Sequence, residues 1–118
     1  MMRKELESRL ISLSIKIDRL CNGMREGFMS QHLSRQVIRS STSAVLNYGE
    51  AQSAESRNDF IHKVSVVLKE LRETQINLKL LSASVAEDQN GQMSDCLGEV
   101  DELIAIFHKT VMTARARG

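Results

Sequence analysis

Six apolar residues near the start of the chain, Leu6, Leu10, Leu13, Ile17, Leu20 and Met24, recur at alternating spacings of four and three. An α-helix brings residues so spaced onto one stripe, and such a stripe must be buried against other helices. The same period returns at Phe60, Val64, Val67, Leu71, Thr74, Leu78 and Leu81, and again at Met93, Leu97, Val100, Ile104, Phe107 and Val111. Between them Leu33, Val37, Ala44, Tyr48 and Ala51 form a thinner apolar face. No stretch alternates with the period of a strand, and no internal repeat is visible. The chain holds no Pro, whose ring costs ~3 kcal/mol inside a helix. The spacing predicts an all-α fold, an antiparallel up-down-up-down four-helix bundle. It is read as one domain over residues 1–118, with helices at about 2–24, 30–52, 57–83 and 92–114.

The joints follow from turn chemistry. Asn22-Gly23 and Gly27 loosen the end of the first helix, and Glu87, Asp88 and Asn90-Gly91 mark the last turn. Ser56 is placed to cap the third helix through the amide of Asp59. Within the second helix the run Ser40-Ser41-Thr42-Ser43-Ala44 is small on every side, which lets another backbone approach closely. Gly49 lies in the same helix, at roughly 1 kcal/mol against Ala, and implies a packing reason for its presence.

Beside that small run lies a polar row. Gln36, Ser43 and Glu50 are seven apart, and Arg39 and Asn47 share their side of the helix. The row is expected to be buried, with Glu70 and Glu73 of the third helix neutralising and hydrogen-bonding it. Arg39 then belongs within ion-pair range of Glu70 or Glu73, or of Glu50 from a neighbouring subunit. The plain alternative for Lys69-Glu70 and Arg72-Glu73 is a solvated face of surface ion pairs, worth ~0.5 kcal/mol or less.

Five apolar residues fall outside the seams: Ile11 and Ile15 in the first helix, and Val66, Ile76 and Leu80 in the third. A monomeric bundle has no use for them. Burying one such side chain contributes roughly 1.5–3 kcal/mol, so they are assigned to a contact between identical subunits.

Lys and Arg total 16 against 15 Asp and Glu, a formal charge of +1. No global field draws such a chain to nucleic acid or to an anionic membrane. A local basic surface remains open, formed by Arg3, Lys4, Arg9, Lys16, Arg19 and Arg25 with Arg115 and Arg117, although acidic residues interleave with the first group. Without an aromatic platform it would contact phosphates only. Cys21 and Cys96 sit inside apolar patterns and read as reduced core thiols. His32, His62 and His108 share no ligand spacing, and Glu70 with Glu73 lacks the Glu-x-x-His pattern of di-metal bundles. No phosphate loop, nucleophile elbow or Cys/His pair is present. The chain is read as no enzyme, with no catalytic residue, no metal and no cofactor. No apolar run approaches the ~20 residues of a membrane helix, and the first ten residues lack the apolar core of a signal peptide, so the location expected is cytoplasmic.

The run from Gln36 to Leu81 contains QVIRSSTS, NYGEAQSAES, DFIHK and LKELRET, in that order. These resemble the Gln-x-x-Arg-Ser-x-x-Ser, Asn-Tyr-x-Glu-Ala, Glu-Ser-x-x-Asp-Phe and Lys-Glu-x-Arg-Glu-Thr pattern of the bacterial 23S rRNA-intervening sequence proteins. The resemblance implies an antiparallel four-helix bundle, commonly assembled as a ring-like homopentamer. It also implies kinship with the accessory protein of diversity-generating retroelements, which works with a reverse transcriptase and binds nucleic acid. Two functions from different classes are therefore expected. The first is a non-enzymatic, self-associating interaction scaffold, and the alternative is an accessory protein binding RNA or an RNA–DNA hybrid.

Overall fold

A computed structural model describes residues 2–117 and contains four long helices: α1 (Arg3–Asn22), α2 (Phe28–Gln52), α3 (Arg57–Leu81) and α4 (Asn90–Ala116). Two single turns of tighter helix, Ser82–Ser84 and Glu87–Gln89, make up most of the link between α3 and α4. Each helix packs on its chain neighbours, and α4 returns to α1, so the four form an up-down-up-down bundle of 47 × 24 × 20 Å. α1 and α3 stand at opposite corners. The contact of α2 with α3 is the most extensive, and that of α1 with α4 is the thinnest of the four.

The seams explain the core. Leu6, Leu10, Leu13, Ile17 and Leu20 of α1 meet Leu33, Val37, Ala44, Tyr48 and Ala51 of α2 and Val64, Val67, Leu71 and Leu78 of α3, all buried. Towards the end of the bundle where α1 begins, the rings of Tyr48 and Phe107 meet edge to face, with centroids 5.3 Å apart and planes at 83°. Ser56 caps α3, accepting a 3.0 Å hydrogen bond from the amide of Asp59.

The sequence expectation for α4 needs correction. Leu97 and Ile104 are only half-buried, while Cys96 and Leu103 are in the core. The α4 seam is Met93, Cys96, Val100, Leu103, Phe107 and Val111. Cys96-Leu97 and Leu103-Ile104 are adjacent apolar pairs, so periodicity alone accommodates either register.

Small residues do two different jobs. Ser40 and Ser41 are buried in α2, and Ser40 Oγ lies 2.7 Å from Thr74 Oγ1 of α3. Thr74 also donates to the carbonyl of Glu70 at 2.8 Å, so this polar pair in the core is satisfied. Gly49 faces open space, contrary to the packing reason expected for it: a Cβ there would meet nothing within 4 Å.

At the other end of the bundle, Gly23 is favoured by proximity rather than by backbone angle. Its φ of −92° suits any residue, but a Cβ would stand 2.5 Å from Gln89 Nε2. Gln89 is buried there, donating to the carbonyl of Leu20 at 3.0 Å and accepting from the amide of Ala86 at 3.2 Å. One side chain thus ties the end of α1 to the start of α4.

Gly23→Ala is expected to cost about 1–2 kcal/mol by displacing that amide and orphaning buried polar groups. In a double-mutant cycle by urea denaturation, Gln89→Ala should remove most of the penalty of Gly23→Ala, and strictly additive losses would contradict the tie. The Cys96 thiol, buried beside Asp95, is pushed up from 9.0 to about 11, chiefly by burial. Because the folded state holds this proton more tightly, the stability it contributes is complete below pH 9.0 and is lost as pH rises through about 11. Cys96→Ala should therefore flatten the fall in stability across that alkaline window, as read by denaturation at stepped pH.

Candidate interaction surfaces

The polar row of α2 is not buried. Ser40, Ser41 and Ala44 occupy the core-facing positions, and Gln36, Ser43 and Asn47 lie one step round, half-buried, with Arg39 and Glu50 exposed. Small side chains bring α3 close enough that the row sits on the rim of the α2–α3 contact instead of inside it.

Nor is the row a single network; it divides into four parts. Arg39 reaches across to α3, with Nη1 3.1 Å from Glu70 Oε2 and Nη2 2.8 Å from Glu73 Oε2. Its side chain is 54% exposed, whereas that of Glu70 is 6% exposed. Asn47 stays on its own helix, donating to the carbonyl of Ser43 at 2.9 Å and to its hydroxyl at 3.2 Å. Glu50 pairs with Lys63 of α3 at 2.9 Å, a partner the sequence pattern did not single out. Gln36 lines a groove described below.

Lys69 and Arg72 have no carboxylate within ion-pair distance among the described residues. Arg39 holds Glu73, the one carboxylate a helical turn from Lys69, and Arg72 has no acidic residue three or four positions away on α3. The alternative of surface pairs along α3 is therefore not realised.

The basic candidates separate likewise. Arg9 holds Glu99 of α4 through two hydrogen bonds, the Nε one at 2.9 Å, and touches Glu102 at 3.5 Å. Lys16 pairs with Asp95 at 3.1 Å. Both therefore clasp α1 to α4. Arg3, Lys4, Arg115 and Arg117 are exposed, and the antiparallel order places them at one end of the bundle, where α1 begins and α4 ends. Arg19 and Arg25 lie towards the opposite end of α1.

Of the five unused apolar residues, Ile11, Ile15, Ile76 and Leu80 are exposed, and Val66 is half-buried. Ile11 and Ile15 form a depression of about 370 Å³ with Ser8, Ser12, Lys16 and Arg19. Over the outer face of α3 runs a larger groove of about 840 Å³, reaching α2 at Gln36 and Arg39 and α4 at His108, Val111, Met112 and Arg115. Sequence reading missed Met112, which is 53% exposed and follows the buried Val111 directly. Phe28 was missed too; it opens α2 and is 96% exposed. Among the described residues no group of three or more His, Cys, Asp or Glu is placed to hold a metal ion, and no helix is long and apolar enough to cross a membrane.

The family model for 23S rRNA-intervening sequence proteins matches residues 6–109. The fold is also similar to the crystal structure of a protein of unknown function from the S23 ribosomal protein family of Bacteroides thetaiotaomicron. The two are 26% identical with a TM-score of 0.76, over 95% of this chain and 99% of that one. No curated protein matches the chain.

The Arg39 pair gives a direct test. Arg39→Met leaves the Glu70 carboxylate buried without its partner, at a cost of about 1–3 kcal/mol once the exposure of Arg39 is allowed for. Glu70→Gln in the same chain should recover most of that loss in urea denaturation. A loss below about 0.5 kcal/mol for Arg39→Met would make the pair an ordinary surface contact.

Proposed function

The chain belongs to the family of 23S rRNA-intervening sequence proteins, and from that premise we propose that it acts as a self-associating scaffold and not as a catalyst. The observation that carries this reading is the position of the unused apolar residues. Ile11 and Ile15 on α1 and Ile76 and Leu80 on α3 stand exposed at opposite corners of the bundle. A two-fold contact would cover one of these faces in each copy and leave the other in water. A head-to-tail contact, α1 of one copy against α3 of the next, covers both. Repeated contacts of that kind close into a ring or continue as a filament. The proposed assembly is the ring, with five copies as the number the family resemblance implies.

A second reading, as an accessory protein for RNA or an RNA–DNA hybrid, draws support from the gathering of Arg3, Lys4, Arg115 and Arg117 at one end. The four positions are close enough in the fold to meet one phosphate backbone. Binding of that kind would weaken steeply with salt, and absence of any RNA shift at low salt would remove it.

Light scattering at micromolar concentration should return a multiple of the 13.3 kDa chain. Ile11→Glu with Ile15→Glu, and separately Ile76→Glu with Leu80→Glu, should each give folded monomers by circular dichroism. Mixed together, the two variants should form a one-to-one heterodimer, since one intact donor face then meets one intact acceptor face. A wild-type mass of 13.3 kDa overturns association. Variants that ignore each other overturn the head-to-tail geometry.

A further inference from the structure

The groove over α3 has a floor and a rim of different chemistry. Its floor is Leu68 and Ile76 of α3 with Val111 and Met112 of α4. Ile76 and Met112 are 54% and 53% exposed. Its rim is cationic: Lys69, Arg72 and Arg115 have no ion-pair partner among the described residues, and Arg39 stands at the α2 edge. Glu73 is the one carboxylate in the lining, and Arg39 already holds it.

An occupant must therefore be apolar on one side and anionic along its flanks. The lining contains no Phe, Tyr or Trp, His108 offers a single small ring rather than a platform for successive bases, and phosphates would leave the apolar floor uncovered. Residues 65 to 76 extend about 16 Å along α3, the length of about three helical turns. A furrow between packed helices with such a floor suits a third helix, and the flexible Met112 adapts to its side chains.

The chain's own segments match poorly. On α1, Glu7 and Asp18 flank Ile11 and Ile15, but Lys4 and Arg19 share that face. The acidic part of α4 is engaged, with Glu99 and Glu102 on Arg9 and Asp95 on Lys16. We propose that the groove is a docking site for an acidic amphipathic helix of a partner protein. This goes beyond self-association and does not depend on it. Ile76 belongs to both surfaces, so a bound helix and a neighbouring copy compete for that part of α3.

The test uses the full chain carrying Ile11→Glu and Ile15→Glu, whose groove is intact and which no second copy can occlude through α1. The probe is a fluorescein-labelled helical peptide of about four turns, with Leu on one face and Glu elsewhere. Its control has Lys in place of Glu, and a single-stranded RNA serves as competitor. Fluorescence anisotropy should show the acidic peptide binding, weakening as salt rises, and at least about tenfold weaker binding to a variant that adds Arg72→Glu and Arg115→Glu. Met112→Asp should weaken it likewise, with helix content unchanged by circular dichroism. No binding, equal binding of the Lys peptide, unchanged binding by the charge-reversed variant, or displacement by RNA at equal concentration each overturns the proposal. Because the assay is run on a chain with its α1 face disabled, its outcome is separate from that of the assembly test.

Discussion

The closeness of α2 to α3 governs the surface of this bundle. Ser40 and Thr74 share a buried 2.7 Å hydrogen bond where most bundles place Leu or Ile. That contact favours this register, because sliding by one turn would lose the bond between the helices and leave each hydroxyl only the carbonyl of its own helix, Val37 for Ser40 and Glu70 for Thr74. With the register set, Arg39 falls opposite Glu70 and Glu73 and takes both. The charges left over, Lys69 and Arg72, are then the ones that face outward.

Much of the architecture was legible because Leu, Ile and Val carry an unbroken heptad spacing along α1 and α3, which Ile11, Ile15, Val66, Ile76 and Leu80 accompany without matching. Family resemblance and periodicity agreed on a four-helix bundle, and the helix ends differ from the expected ones by about two residues. What escaped the sequence did so for identifiable reasons. In α4 two apolar residues stand side by side at Cys96-Leu97 and at Leu103-Ile104, so the period had two solutions. In α2 the polar row was expected to be buried because small residues lay beside it, yet the small residues themselves were what the core required. Gly49 had no local explanation, and the fold supplies none within the chain. Met112 was hidden by its neighbour Val111, the true seam residue, and the groove it helps form needs three helices that no single stretch of sequence shows together.

The two exposed apolar surfaces differ in size and in free charge. Ile11 and Ile15 form a small depression lined by Lys16, which Asp95 holds, and by Arg19, with Glu7 and Asp18 flanking it along α1. The α3 groove is larger, and several of its cations are unpaired among the described residues. Exposed rim charges add little affinity individually, but they discriminate among partners and raise the rate of encounter. In the proposed scaffold the two contacts would meet at Ile76, so holding a copy and selecting an acidic partner by charge would compete for that part of α3.

Gln89, Arg9 and Lys16 have a consequence for how the chain closes on itself. They join α4 to α1 across 69 to 93 positions of sequence, and they do so along the thinnest of the four helix contacts. Joining such distant segments carries a large loop-closure entropy, which must be met before any apolar burial between them is gained. Opposite charges attract over about a Debye length, farther than dispersion or hydrogen bonding reaches. The side of the bundle whose helices lie farthest apart in sequence is thus the one whose segments carry charges that attract before they touch, so salt screens that closure while leaving the apolar core it seals untouched.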